Sequence, residues 1–393
     1  MDSKKLKPQI ISAKSVHWQA LLNQLKSAHP ELTIVNHYHS QLNELFNIRY
    51  PKDVDNDKKR LLFISRITHK KPLNAHGNWI YYPWLNTLVH LLPKNEYQEV
   101  RTARNRPIIS SKQQQQLMDL TVGVIGLSVG NAIIQNLVYS GGAQVVKVAD
   151  ADTLDLSNLN RIQASTTNLG INKAVIAAQQ IYQINPYAKI VIYDQKINAD
   201  NLKEFLISKP KLDVIIDECD DLTLKNYLRL TARAIKLPFL SITDVGLESQ
   251  VDFHRFDLSS KTAGMRELPN FTLDELLEAY RLSEPLDLSL KEQLKLIVEI
   301  VGEKNVSLEM QKGSIARAEF KIAGWPQLAM TVFAGGSLAT FTLLLFASGH
   351  RTYAKQKSLS FNRLLKPGYF SPRAQFIRRS FSRTFHHYLR SIK

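Results

Sequence analysis

Between Val122 and Asn226 the chain carries, in order, the groups a nucleotide triphosphate needs: a glycine-broken turn, a carboxylate, an amide with two cations, and a cluster of acids. The turn comes first. Val122-Gly123-Val124-Ile125-Gly126 leads through Leu127-Ser128-Val129-Gly130 into the mostly apolar Asn131–Leu137 stretch. Read as strand, turn and helix, this segment aims free backbone N–H groups at a helix start, where phosphate charge is stabilised. Gly126, Ser128 and Gly130 are the candidate contacts, although Ser128 and Asn131 interrupt a strict GxGxxG pattern. About twenty residues on, a second strand ends at Asp150, where a carboxylate can hold ribose hydroxyls.

The turn alone fits a plain α/β core as well as a nucleotide site. The residues after Asp150 separate the two. Asp152, Asn158, Arg161 and Lys173 bring an amide and two cations suited to a triphosphate rather than to a nicotinamide ring. Next, Val214–Ile216 runs into Asp217-Glu218-Cys219-Asp220-Asp221, with Lys225-Asn226 a helical turn later. Carboxylates at a strand's carboxyl end beside a phosphate site point to Mg²⁺.

These groups need a frame. Strands are predicted at 121–125, 145–149, 189–193, 213–217 and 238–242, and helices at 130–140, 172–184, 200–207 and 223–236. That alternation gives an α/β class, a doubly wound and mostly parallel sheet, for a central domain over 101–350. A helical insertion at 257–325 includes a capping-box start at Thr272–Glu275 and an amphipathic helix over Leu290–Val301. Ahead of this domain, residues 1–100 form an appended α/β unit. It is read as a helix over Trp18–His29, a strand at Leu32–Val35, a helix around Gln41–Phe46 and a strand over Arg60–Ile67. Its aromatic run Trp79–Trp84 either packs as core or stands exposed for a partner. His37 and His39 lack an evident third ligand and read as surface or core histidines rather than a metal site.

Residues 351–393 form a basic tail with eleven Lys or Arg and no acid, which supplies most of the net charge of +16. Ile377, Phe381, Phe385, Tyr388 and Ile392 recur there at helical spacing. Such a helix packs its stripe on the protein or meets an anionic lipid, RNA or acidic peptide. Met330–Ser348 is long and apolar enough to span a bilayer, but Gly335-Gly336-Ser337 favours a buried core or dimer helix, so no transmembrane span is expected. One cysteine, and no apolar segment after Met1–Lys5, fit a reducing cytoplasm.

The order of motifs over about Arg104–Gly246, with a weaker echo near Trp325–Gly349, resembles the ThiF, MoeB and ubiquitin-activating (E1-like) enzymes. The resemblance implies an ATP-dependent adenylyltransferase that activates a carboxylate and forms AMP and pyrophosphate, with ATP and Mg²⁺ as cofactors. It implies that Asp150 holds the ribose, Asn158 and Arg161 the phosphates, Lys173 the α-phosphate region and Asp220 the Mg²⁺. Asp221 stands where the family often has Asn. Asn105-Arg106-Pro107-Ile108-Ile109 resembles a segment whose arginine enters the partner subunit's ATP site, so Arg106 would act in a homodimer.

Zinc-binding members carry two CxxC pairs, whereas Cys219 is the one cysteine here, which excludes a tetrathiolate zinc site. Cys219 reads as a buried small hydrophobe rather than a thioester nucleophile. An acyl-adenylate would then be captured by a group of the substrate itself. In this family the region after the sheet covers the active site and receives the substrate tail, and the N-terminal unit resembles a peptide clamp. The leading expectation is maturation of a precursor peptide, as in microcin- and pantocin-type pathways. Alternatives are a ubiquitin-like or sulfur-carrier protein C-terminus, the threonylcarbamoyl group of a tRNA adenosine, which the basic tail suits, and a non-catalytic nucleotide-binding scaffold.

Overall fold

The computed structural model describes residues 6–258, 271–283, 288–303, 306–350 and 356–392. Met1–Lys5, residues 259–270, 284–287 and 304–305 of the expected insertion, residues 351–355 of the tail, and Lys393 lie outside the described residues. The chain divides into two compact units: residues 1–118 with segments 138–142 and 178–188, and the remainder.

The first unit contains β1 (Gln9–Ser12), α1 (Trp18–Ala28), β2 (Thr33–Val35), α2 (Tyr38–Arg49), α3 (Asp57–Ile67), β3 (Asn78–Tyr82), β4 (Thr87–Leu91), α4 (Lys94–Arg101) and most of α5 (Ser111–Asp119). Its sheet runs β1-β3-β4-β2, antiparallel except for the β2–β4 pair. The aromatic run is core: Trp79, Tyr81 and Tyr82 are buried, and Trp79 and Tyr81 pack with Ile11, Leu22 and Leu88. Fully buried His90 stacks on both Tyr38 (4.0 Å between ring centroids) and Trp79 (4.1 Å).

One expectation fails here. Arg60–Ile67 is helical, not a strand. The continuous apolar run Leu61–Ile64 reads as a strand by composition, but Asn56 caps the segment by accepting from the Lys59 N–H at 3.0 Å. Asp57 and Arg60 pair across the first turn at 2.6 Å, and Ile64 with Ile67 faces the core while Leu61 and Leu62 face solvent.

The second unit is built on a seven-stranded sheet, β11-β10-β9-β8-β5-β6-β7. Its strands are β5 (Thr121–Ile125), β6 (Val145–Ala149), β7 (Lys189–Tyr193), β8 (Val214–Asp217), β9 (Phe239–Asp244), β10 (Glu248–His254) and β11 (Lys357–Ser360). The first five are parallel, as the sequence predicts, and β10 and β11 close one side antiparallel. Helices α6 (Val129–Tyr139), α7 (Lys173–Ile184), α8 (Leu202–Ile207) and α9 (Leu222–Ala234) connect the parallel strands within two residues of the expected bounds. Because the chain runs outward through β6 and β7 and returns on the other side of β5, the topological switch falls between β5 and β8. An unexpected charge lies inside β6, where fully buried Lys147 donates to the Phe205 and Ser208 carbonyls at 2.7 and 2.8 Å.

Helices α10 (Leu273–Leu282), α11 (Leu290–Val301), α12 (Leu308–Ala318), α13 (Ala329–Ala347), α14 (Phe361–Leu365) and α15 (Pro372–Ser391) complete the unit. The capping box at Thr272 and Glu275 is formed. The apolar helix α13 packs on β9 and β10. There a Cβ on Gly335 would lie 2.6 Å from Ile242, so the close approach requires glycine. In α15 the apolar stripe splits. Phe385, Leu389 and Ile392 pack with Leu294 and Val298 of α11, each burial being worth about 1.5–3 kcal/mol, whereas Ile377 stays exposed.

Candidate functional site

The switch point is where the sequence motifs meet. β5 ends at Ile125, and Gly126 comes next with φ +87°, in the left-handed region. A Cβ there would sit 2.3 Å from the Glu218 carbonyl oxygen, so the turn needs glycine twice over. Gly130 lets α6 approach β5, since its Cβ would meet Val124 at 2.8 Å. The turn is pinned by Asp150, whose two carboxylate oxygens accept from the Leu127 N–H (2.7 Å) and the Asp152 N–H (2.9 Å). Burial raises the Asp150 carboxyl above its ordinary value, against the pull of those two N–H groups.

One cation reaches the same turn and a second lies beside Asp150 and Asp152. Arg161 donates from Nε to Ser128 Oγ at 2.9 Å and from its guanidinium to Asn160 Oδ1 at 2.9 Å. Lys173, at the start of α7, is buried and pairs with Asp152 at 2.9 Å. Asn158 spends its side-chain oxygen on the Asp155 N–H (3.1 Å), closing the short 3-10 turn Leu156–Asn160.

The acid run after β8 splits into distinct environments. Asp217 is fully buried, with one oxygen accepting from Lys225 Nζ (2.9 Å) and the other from the Cys219 N–H (3.1 Å) and thiol (2.9 Å). Burial alone would lower the Lys225 ammonium, but Asp217, Cys219 and Glu218 outweigh it and raise it. Glu218 accepts from the Ile242 N–H at 2.6 Å, and burial lifts its carboxyl well above the usual range. Asp221 caps α9 through the Leu224 N–H (3.0 Å) and pairs with Lys196 (2.8 Å), contacts that outweigh burial and lower its carboxyl. Asp220 alone in this run has no hydrogen bond or ion pair among the described residues, and its exposed side chain lines a cleft. The surrounding protein raises its carboxyl, while Lys225, Lys173 and Arg161 oppose the rise.

Cys219 sits two residues past β8 and is half-buried rather than inside the strand. Burial, then the neighbouring Asp217 carboxylate, push its thiol well above the ordinary value, so the sulfur stays protonated.

The cleft holds about 620 Å³ and runs from Ser128 and Asp220 past β9 and β10 to Leu296 and Ile297 of α11. It contains residues that the sequence motifs do not single out. Asp244, at the end of β9, makes no hydrogen bond of normal length among the described residues, and burial pushes its carboxyl up to about 7 although Arg161 and the nearby Ser249 hydroxyl pull it down. On the same wall Asp252 accepts from Arg229 (3.1 Å) and His254 Nε2 (2.8 Å). The available signal is the acid closing Ser241-Ile242-Thr243-Asp244, as Asp217 closes Val214-Ile215-Ile216-Asp217. Arg229 carries no such signal, because its partners Asp252 and His254 lie on β10, far along the chain from α9.

Among the described residues no three His, Cys, Asp or Glu side chains gather into a metal cage. A lone outward carboxylate such as Asp220 still fits Mg²⁺, which takes most of its ligands from phosphate and water. In the first unit, Asn105 is fastened to Gln114 (2.7 Å) and the Ser140 carbonyl (3.2 Å), while the neighbouring Arg106 is exposed and makes no side-chain hydrogen bond or ion pair among the described residues.

Residues 101–369 match the model of the ThiF family. An uncharacterized protein of Mycobacterium tuberculosis is 34% identical over 266 residues, covering 67% of this chain and 35% of its own length. The molybdopterin-synthase adenylyltransferase of Haemophilus influenzae is 29% identical over 144 residues, 36% of this chain and 57% of that protein. The chain thus spans between 35% and 57% of these relatives' lengths. Among solved structures, the E. coli tRNA N6-threonylcarbamoyladenosine dehydratase in complex with ATP superposes with a TM-score of 0.42 and 18% identity, over 64% of this chain and 95% of the other. The matched range includes the glycine turn, Asp150, Arg161, Lys173 and Asp220, and the chain belongs to the ThiF family.

Proposed function

We propose that this protein uses ATP to adenylate a carboxylate on a peptide, releasing pyrophosphate, and that the acyl-adenylate is captured without an enzyme thiol. The observation that carries this reading is Asp220, an unengaged carboxylate facing the cleft at the topological switch, with the Arg161 guanidinium in its electrostatic neighbourhood. The turn after Gly126 and the start of α6 receive the phosphates. Each Asp150 oxygen has accepted one N–H and keeps a lone pair for a ribose hydroxyl. Asp220 would hold Mg²⁺, which when bound neutralises triphosphate charge; Arg161 and Lys173 supply positive charge from the protein itself. Capture by the substrate's own amine, amide or carbanion is supported by the protonated, Asp217-bound thiol of Cys219. The peptide is supported by the appended first unit. A small carrier protein is the second reading, favoured by the similarity to a molybdopterin-synthase adenylyltransferase.

The active form is a homodimer in this reading, with Arg106 of one copy completing the ATP site of the other. Exposed Met330, Phe333 and Phe341 on the uncharged helix α13 offer an apolar surface to a second copy. ATP–pyrophosphate exchange, with peptides and carrier proteins added one at a time, tests the chemistry. Asp220→Asn should lower exchange by about 10²–10³-fold, since a fixed charge near the triphosphate is lost. A folded Asp220→Asn variant with normal exchange removes the site assignment; stimulation by a carrier C-terminus alone selects the second reading. Mixed dimers of inactive Arg106→Ala and Asp220→Asn chains should regain activity, and heterodimers that stay inactive exclude the shared site.

A further inference from the structure

We infer that α14, the turn at 366–371 and the first half of α15 form a docking arm for an anionic lipid surface, its apolar side chains entering the interface and its cations meeting lipid phosphates. The inference does not depend on the adenylation reading. Leu364 and Leu365 at the end of α14 are 64% and 76% exposed, and Phe370, Phe376 and Ile377 are 65%, 72% and 47% exposed. Single exposed apolar residues are ordinary, but a cluster within one short segment marks an interaction surface.

The arm is braced by its own contacts, with Ile377 and Arg378 turned to a cleft beside α12 and Leu364, Leu365, Phe370 and Phe376 outside that cleft. The Arg378 guanidinium lies 3.8 Å from the Tyr369 ring centroid, and Tyr369 meets Phe370 edge-on at 5.0 Å. Ser371 caps α15 by accepting from the Ala374 N–H, and Gln375 donates to the Phe370 carbonyl at 2.7 Å. Further along, Phe385, Leu389 and Ile392 anchor the helix in the core. The exposed side chains are therefore presented on a structured support.

Charge selects the occupant. Arg373 and Arg383 are exposed on the same helix as Phe376, Arg363 and Arg379 are exposed at the rim of the neighbouring cleft, and residues 351–393 contain no Asp or Glu. Glu248, Glu303 and Glu309 lie in that cleft, where Lys366 reaches Glu309 (3.6 Å) and His386 reaches Glu303 (2.9 Å), so these groups face one another and not the exposed apolar side chains. A second copy docking here through a two-fold axis would bring like charges together. RNA phosphates would suit the arginines but leave Leu364 and Leu365 in water. An anionic bilayer satisfies both layers at once, with rings and aliphatic groups at the acyl boundary and cations at the headgroups.

The test uses the full-length protein with phosphatidylcholine vesicles, with and without phosphatidylserine. Cosedimentation should require phosphatidylserine and fall as salt is raised. The exposed-residue variants Leu365→Ser/Phe376→Ser and Arg379→Glu/Arg383→Glu should each lower binding about tenfold or more, with unchanged thermal unfolding. In a Phe370→Trp protein, brominated acyl chains should quench the added fluorescence. Failure to bind phosphatidylserine vesicles overturns the inference. So does wild-type binding by the apolar variant, or tighter binding of polyglutamate or an RNA oligonucleotide that both variants abolish.

Discussion

The buried histidine cluster of the first unit and the acid-lined crevice of the second treat polar groups in opposite ways. His90 is closed in by Tyr38 and Trp79; its Nε2 donates to the His76 carbonyl at 2.7 Å, and its Nδ1 lies 3.1 Å from the Asn36 side chain. At the crevice, Asp217 is paired, whereas Asp220 and both oxygens of Asp244 have no hydrogen-bond partner among the described residues. A satisfied buried network fixes one arrangement of a core. Carboxylate oxygens shut from water without a partner, as at Asp244, cost stability unless something binds there, and so mark the place where the protein gives up stability for chemistry.

The largest effect expected is on the one crevice acid that is satisfied. Lys225→Met strands the fully buried Asp217 carboxylate and should cost about 3–5 kcal/mol in denaturant unfolding. A loss below about 1 kcal/mol would mean that the Lys225 contact does little to hold Asp217 and would erase its contrast with Asp220.

The pH dependence separates the two regions more sharply, because its sign differs. Burial depresses the His90 imidazole to about 4, so the stability from keeping it neutral is present above its ordinary 6.5 and lost as pH falls through about 4. That contribution is on the order of 3 kcal/mol. Asp244 runs the other way. Its carboxyl is raised from 3.8 to about 7, so its contribution is full below 3.8 and is lost as pH rises through about 7. Between about pH 4 and 6.5, amide exchange protection should rise with pH in β3 and β4 and fall in β9. His90→Phe should remove the rise. Asp244→Asn should remove the fall and stabilise the protein at pH 7 by about 1–2 kcal/mol. Parallel pH profiles in the two sheets would break the comparison.

The smallest effect belongs to Cys219. Its thiol donates to Asp217, so Cys219→Ala should cost about 1 kcal/mol, leave nucleotide exchange near the wild-type rate and yield no hydroxylamine-sensitive substrate adduct. A trapped thioester would instead place the sulfur in the reaction.

Legibility divides along the same line. Five strands of the second sheet and four intervening helices are readable because parallel strands buried on both faces leave continuous apolar runs, and helices between them keep a single apolar face. Arg60–Ile67 misleads because such a run does not by itself distinguish strand from helix; Asn56, four residues upstream, is the deciding cap. The position of the turn is visible in Gly126 and Asp150, since a left-handed turn before a helix and an acid closing the next strand are local features. The cleft wall is not, because Asp244, Arg229 and Asp252 come from β9, α9 and β10 and line one cleft only once these elements pack together.

By itself the sequence determined the order of elements, the glycine turn and the acid run, all set by short-range periodicity and backbone sterics. Tertiary structure alone decided which acid of that run is paired, which caps a helix and which faces the cleft. It also decided that one half of the α15 stripe is core while the other is exposed. The physical reason is that burial and charge compensation depend on neighbours distant along the chain, and identical residue types carry no record of which neighbour they will meet.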